Sequence, residues 1–366
     1  MRILLLSAYD AVSHQYWRQG LVQAFPEHEW TVLTLPARYF SWRIRGNSLS
    51  WAFSQRETLT QSYDLVIATS MVDLTSLRGF VPALANIPTL VYFHENQFAY
   101  PESGHEFHSV EPQILNIYNA LCADKLLFNS AYNRDTFLDG ANRLFTKLPD
   151  QVPTNLAQQI RLSTSVLHVP LPDEVFLPPI YTEGPLEIIW NHRWEFDKGP
   201  ELLLQAIRLL IAMGAKFRLH VVGQQFRKVP KAFPELKTLL ETSDQLGHWG
   251  HIADLADYRR LLQQADIVLS TALHDFQGIA VLEAVAAGCR PLVPDRLAYQ
   301  ELFASPYRYS ETDESHALAS QLAQLAGQKQ SGTIFDLPNI NHLRWSAAKA
   351  DWAAIMQHTA SPPGAD

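Results

Sequence analysis

His274-Asp275-Phe276-Gln277-Gly278-Ile279-Ala280-Val281-Leu282-Glu283-Ala284 sets two carboxylates eight positions apart around a glycine and an apolar run. Residues 265–271, just before it, carry the apolar run of a buried parallel strand, and residues 281–287 read as a helix stopped by Gly288. The stretch is therefore a strand–loop–helix corner, the recurring joint of folds built on parallel sheets.

At such a corner the free amides and partial positive charge of the helix N-terminus suit a sugar hydroxyl or a diphosphate. Asp275, Gly278 and Glu283 thus become candidates for donor binding, with the two carboxylates gripping opposite ends of one ligand. A plainer alternative is that Asp275 caps the helix and Glu283 complements its dipole.

A second cluster, Trp190-Asn191-His192-Arg193-Trp194-Glu195-Phe196-Asp197-Lys198-Gly199, follows the strand-like residues 186–189 and precedes a helix beginning near Pro200. Arg193 can fork two bonds to phosphate oxygens and Lys198 supplies a compact charge, a pair suited to a departing nucleoside diphosphate. Glu195 and Asp197 beside them leave an ordinary ion-pair group as the other reading. No Asp-x-Asp triplet occurs, so the expectation is that cationic side chains take the place of a divalent ion and that no metal or other cofactor is needed.

Short apolar runs at 3–6, 31–35, 65–68, 89–93, 125–128 and 166–169 alternate with helical segments, and runs at 188–190, 219–222, 267–270 and 292–293 repeat the pattern. Prolines 170, 172, 178 and 179 interrupt the chain between the two sets. The expected fold class is α/β, with two Rossmann-like parallel-sheet domains facing each other across a cleft. Their expected limits are 1–172 and 173–342, followed by a helix and short tail over 343–366. Residues 328–333 and 361–366 read as disorder-like.

The 366 residues suffice for about two domains, each with a sizeable core. With 47% hydrophobic and 18% charged residues the composition is that of a folded protein. Cys122 and Cys289 stand alone, excluding a disulfide framework or a CxxC zinc site and suggesting a reducing compartment. No apolar run reaches membrane-spanning length and the first residues lack a signal pattern, so a cytoplasmic location without membrane attachment is expected. A formal net charge of −8 excludes indiscriminate nucleic-acid binding and confines any RNA contact to a local patch. The best such patch is the stretch from Trp30 to Arg56, which has no acidic residue. There Arg38, Arg43, Arg45 and Arg56 interleave with Tyr39, Phe40, Trp42, Trp51 and Phe53. Aromatic core residues with arginines at its rim are the alternative.

The Arg-x4-Lys-Gly stretch, followed about eighty residues later by an acidic-x7-Glu stretch, resembles the C-terminal half of retaining glycosyltransferases with two Rossmann-like domains, the GT-B type. Ser13-His14, Leu35-Pro36-Ala37, Trp42-Arg43, Tyr92-Phe93-His94-Glu95-Asn96-Gln97, Phe128-Asn129-Ser130 and Asn133 narrow this. Together they resemble the tRNA-queuosine alpha-mannosyltransferase family over nearly the whole chain.

The resemblance implies transfer of mannose from GDP-mannose to queuosine in a tRNA anticodon, with retention and without an obligate protein partner. It implies a catalytic set of His94, Arg193 and Lys198, and a donor set of Asn191, Arg193, Lys198, Asp275, Gly278 and Glu283, the last on the ribose. It gives acceptor roles to Ser13, His14, Arg38, Trp42, Arg43, Asn96 and Gln97. It also implies that the last helix packs onto the first domain. The chain departs from the family's pattern at Ala11-Val12, where Gly-Gly precedes Ser-His, and at Asp275, where glutamate is usual in the wider group. A glycosyltransferase acting on a lipid or surface glycan, and an inactive tRNA-binding relative, are the rival expectations.

Overall fold

The computed structural model describes residues 1–99 and 109–361, arranged in two units, Met1–Pro170 with Trp345–Asp366, and Leu171–Arg344. The first unit holds a six-stranded parallel sheet of β1 (Arg2–Asp10), β2 (Glu29–Pro36), β3 (Leu65–Thr69), β4 (Thr89–Phe93), β5 (Lys125–Phe128) and β6 (Thr164–Val166), in the order β2-β1-β3-β4-β5-β6. Strands β3 and β4 are buried along their whole length, as expected of parallel strands covered on both faces.

The second unit repeats the design with β7 (Leu186–Trp190), β8 (Phe217–Val222), β9 (Leu246–Gly250), β10 (Ile267–Leu269), β11 (Arg290–Pro294) and β12 (Arg308–Tyr309), in the order β12-β11-β10-β7-β8-β9. From β7 the chain steps outward to β8 and β9, then returns to the other flank of β7 with β10. That reversal opens a crevice beyond the carboxyl ends of β7 and β10, where open parallel sheets bind ligands. In the first unit the corresponding reversal lies between β1 and β3.

The final helix, Trp345–Ala360, belongs to the first unit, where the fully buried Trp352 lies 5.9 Å from Trp17 and 5.3 Å from Tyr92, ring centre to ring centre. The disorder-like reading of residues 328–333 is corrected at its start. The helix Glu314–Gln330 runs into it, and Lys329 closes a 2.6 Å ion pair with Asp266. Of the terminal segment 361–366, residues 362–366 lie outside the described residues.

Candidate functional site

Both stretches that decided the fold sit at the reversal of the second sheet. Asn191, His192 and Arg193 follow β7, and the loop after β10 delivers Asp275 and Gly278 to the helix Ile279–Ala286. That helix starts two residues earlier than the apolar pattern indicates, because Gly278 takes the left-handed conformation (φ 76°) and turns the chain at once. Glu283 is therefore a full turn into the helix rather than on its first turn.

Lys198 is the fixed charge of the site. Its side chain is 9% exposed, and its ammonium donates to the His274 carbonyl at 2.6 Å, with Asp197 at 3.2 Å and Asp275 at 3.7 Å. Asp275 is occupied on both oxygens, accepting from the Gly278 amide at 2.9 Å and from the Tyr299 hydroxyl at 3.2 Å. Its burial opposes ionisation, but Lys198, the two histidines 192 and 274 and the Gly278 amide outweigh that and hold its carboxyl below the usual range. In this arrangement Asp275 also positions Lys198 and braces the loop.

Arg193 behaves differently. It is 46% exposed and pairs with Glu195 at 2.6 Å, so the local ion pair weighed from sequence is present. Asn191 donates to the Tyr258 hydroxyl at 3.0 Å and to the Ala280 carbonyl at 2.8 Å, tying the end of β7 to the helix that carries Glu283. Its Oδ1 is buried without a partner. Burial, and then the nearby Glu283 carboxylate, push the Tyr258 hydroxyl far up, which places Glu283 beside it. Tyr258, Tyr299 and His192 were not singled out from sequence, since nothing in their spacing marks them.

His192 is buried, and its Nε2 has no hydrogen-bond partner. Burial, then the Lys198 charge, lower its pKa to about 4, so the ring is neutral at pH 7. An unfolded histidine titrates near 6.5, so between about pH 6.5 and 4 the unfolded chain binds the extra proton. Stability from this residue is complete above 6.5 and lost as pH falls towards 4, by up to about 3 kcal/mol. Urea unfolding of the wild type and His192→Asn at pH 7 and pH 4.5 should show a smaller acid loss in the variant. Equal losses would remove His192 as the source.

In the first unit the loop after β4 brings His94 beneath His14, with ring centres 4.2 Å apart, and His14 donates to Glu95 at 3.0 Å. Tyr92 and Trp17 meet His94 edge-on at 4.7 and 4.9 Å. Burial and the His14 charge hold the His94 ring well below its ordinary pKa, and its buried Nε2 lacks a partner. The pairing of His14 with Glu95 was not foreseen, because 81 positions separate them and only the adjacency of β1, β3 and β4 joins them.

Ser13 and His14 lie in the first turn of the helix Val12–Ala24, which follows closely on β1 because that strand extends to Asp10. Ala11, at φ −67° and ψ 167°, uses extended backbone open to any residue, which is how the turn proceeds without the family's glycines. Asn96, expected as an acceptor contact, braces its own loop. It is fully buried, its amide nitrogen reaches Asn133 and Thr136, and its oxygen accepts from the Phe98 and Ala99 amides. Gln97 is half-buried, its amide bonded to Asn116. Arg38 and Trp42 are exposed, whereas Arg43 is buried.

Residues 2–171 match the family model for the N-terminal part of tRNA-queuosine alpha-mannosyltransferase, and residues 180–331 match that for glycosyl transferases group 1. A tRNA-queuosine alpha-mannosyltransferase of Drosophila melanogaster is 30% identical over 362 residues, covering 94% of this chain and 93% of that protein. Among solved structures, the sucrose-phosphate synthase of Thermosynechococcus elongatus aligns with a TM-score of 0.67 at 14% identity, over 98% of this chain and 99% of that one. Anabaena HepE in complex with UDP aligns at 0.62 and 12% identity, over 98% and 100%. At such identities these two likenesses establish the GT-B fold.

Proposed function

Because the chain belongs to the tRNA-queuosine alpha-mannosyltransferase family, we propose that it transfers mannose from GDP-mannose to queuosine in the tRNA anticodon, with retention of configuration. The observation that carries this reading is the match to the Drosophila melanogaster relative over 94% of the chain, which takes in both units rather than the widespread donor-binding half alone. The chain is a glycosyltransferase. Its proposed co-substrates are a nucleotide sugar and queuosine-containing tRNA.

Negative charge gathers on the β-phosphate as the bond to the sugar breaks, and Lys198 is the preorganised cation proposed to meet it. Arg193, itself half exposed, exchanges its half-buried Glu195 partner for phosphate oxygens, an exchange that forfeits little because pairs open to solvent contribute about 0–1 kcal/mol. Glu283 is the proposed ribose ligand, His94 the proposed reaction-centre residue, and Ser13, His14 and Gln97 the proposed acceptor contacts.

The reading is tested by mass spectrometry of nucleosides from queuosine-containing tRNA incubated with the protein and, separately, GDP-mannose, UDP-glucose and UDP-galactose. A hexose on queuosine with GDP-mannose alone supports donor and acceptor together. Donor hydrolysis without a hexose on queuosine discards the acceptor. With side-chain cations at the diphosphate, turnover in EDTA should equal that in added magnesium. A tenfold loss in EDTA would mean that the two cations do not suffice.

A further inference from the structure

We propose that the turn and helix after β2, residues 38–54, form a stacking surface for unpaired bases of the tRNA, with Trp42 as its platform and Gly46 as the residue that lays the platform flat. The proposal rests on the reading of the acceptor as tRNA. In the helix Phe40–Ser54, Trp51 and Ala52 face the core, while Trp42 and Phe53, and Tyr39 just before the helix, are 54%, 69% and 72% exposed. Large aromatic side chains so exposed are costly unless another surface uses them.

Trp42 has a defined seat. A Cβ on Gly46, one turn along, would lie 2.4–2.7 Å from the indole Cε2, Cζ2 and Cδ2 atoms. The ring therefore lies directly on the backbone of the helix and buries Gly46, leaving its other face open. Any other residue at position 46 lifts the ring. A flat, one-sided indole fits the π-face of a base of any identity.

Charge selects a polyanionic occupant, and the family match makes that occupant tRNA in this proposal. No acidic residue lies between Trp30 and Arg56 in a chain of net charge −8. Among the described residues neither Arg38 nor Arg43 has a carboxylate partner, although Arg43 is only 8% exposed and its buried Nε has no acceptor at all. Arg45, by contrast, is neutralised by Asp73 and Glu111. Tyr39 is held in the left-handed region at φ 56° with Arg38 over its ring at 5.6 Å, a strained arrangement of the kind that accompanies binding segments. Phe40 meets Tyr9 of β1 edge-on at 5.8 Å, so the surface adjoins the strand that leads to His14.

The test uses the full chain, after wild type has been shown to add hexose to queuosine-containing tRNA. Trp42→Ala should raise KM for tRNA about 5- to 150-fold, the range for loss of one base–aromatic stack. Trp42→Tyr should restore most of it, Gly46→Ala should produce an intermediate rise, and GDP affinity and the unfolding midpoint should stay put in all three. Arg38→Ala should lower the salt slope of tRNA binding by about 1. A wild-type KM for tRNA in Trp42→Ala overturns the surface alone. A wild type that modifies no tRNA overturns the acceptor reading with it. If Trp42→Ala abolishes flotation with anionic vesicles and spares tRNA, the occupant is lipid and the proposal fails.

Discussion

Lys198→Ala should lower kcat by about 10²–10³-fold while GDP binding remains measurable, the loss typical of one preorganised charge-stabilising donor and equal to about 3–4 kcal/mol in the barrier. The expectation follows from how rigidly the ammonium is held. The His274 carbonyl, Asp197 and Asp275 fix its position before any ligand arrives, so no reorganisation is needed when charge appears on the leaving phosphate. Arg193, half exposed and already paired, should contribute more to donor affinity than to turnover. Removing Lys198 also leaves Asp197 and Asp275 without the cation they share, so the unfolding midpoint will drop, and turnover must be read well below it. Lys198→Arg should not rescue, because a planar fork does not fit a slot built for a compact ammonium. An unchanged kcat in the alanine variant would remove Lys198 from the mechanism.

The donor half was the more legible part, and the reason is physical. Arg193 and Lys198 follow directly on a continuous apolar strand, and Asp275 and Gly278 lie just beyond another, so periodicity alone puts them at the carboxyl edge of a parallel sheet. What spacing could not show is where each hydrogen bond goes. Asp275, for example, accepts from the hydroxyl of Tyr299, twenty-four positions on. The strand β9, Leu-Gly-His-Trp-Gly, escaped notice because two glycines and a histidine break the apolar run, and β12 is only two residues long.

On the acceptor side the local pattern misleads because aromatics and arginines lie on both faces of one helix. Trp51 and Arg43 turn inward while Trp42 and Phe53 turn outward, and no count of residue types separates them. The buried asparagines are a further example. Asn47, Asn116, Asn119 and Asn133 each bond to backbone carbonyls or amides of neighbouring loops, giving buried polar backbone the partners it requires. From sequence they are indistinguishable from surface or ligand-binding residues.

Gly199→Ala should destabilise the second unit by about 3–5 kcal/mol and take the donor site with it. Gly199 caps the helix Pro200–Ala212 in the left-handed region at φ 65°, where an alanine alone costs about 1–2 kcal/mol. A second effect is larger. The added Cβ would stand 2.0 Å from the Thr271 carbonyl oxygen, a backbone atom on the loop after β10 that cannot swing aside as a side chain could. Thr271 also receives the Trp190 indole N–H at 3.0 Å and donates to the Lys198 carbonyl at 2.8 Å, so relief of the clash must part the ends of β7 and β10 and shift Lys198. Gly214→Ala is the matched control: its φ of 72° is nearly the same, but a Cβ there meets nothing within 4 Å. Urea unfolding of the two variants separates backbone strain from collision. A Gly199→Ala loss no greater than the control's would show that the two strand ends move apart at little cost, and that the site is less rigid than its hydrogen bonds imply.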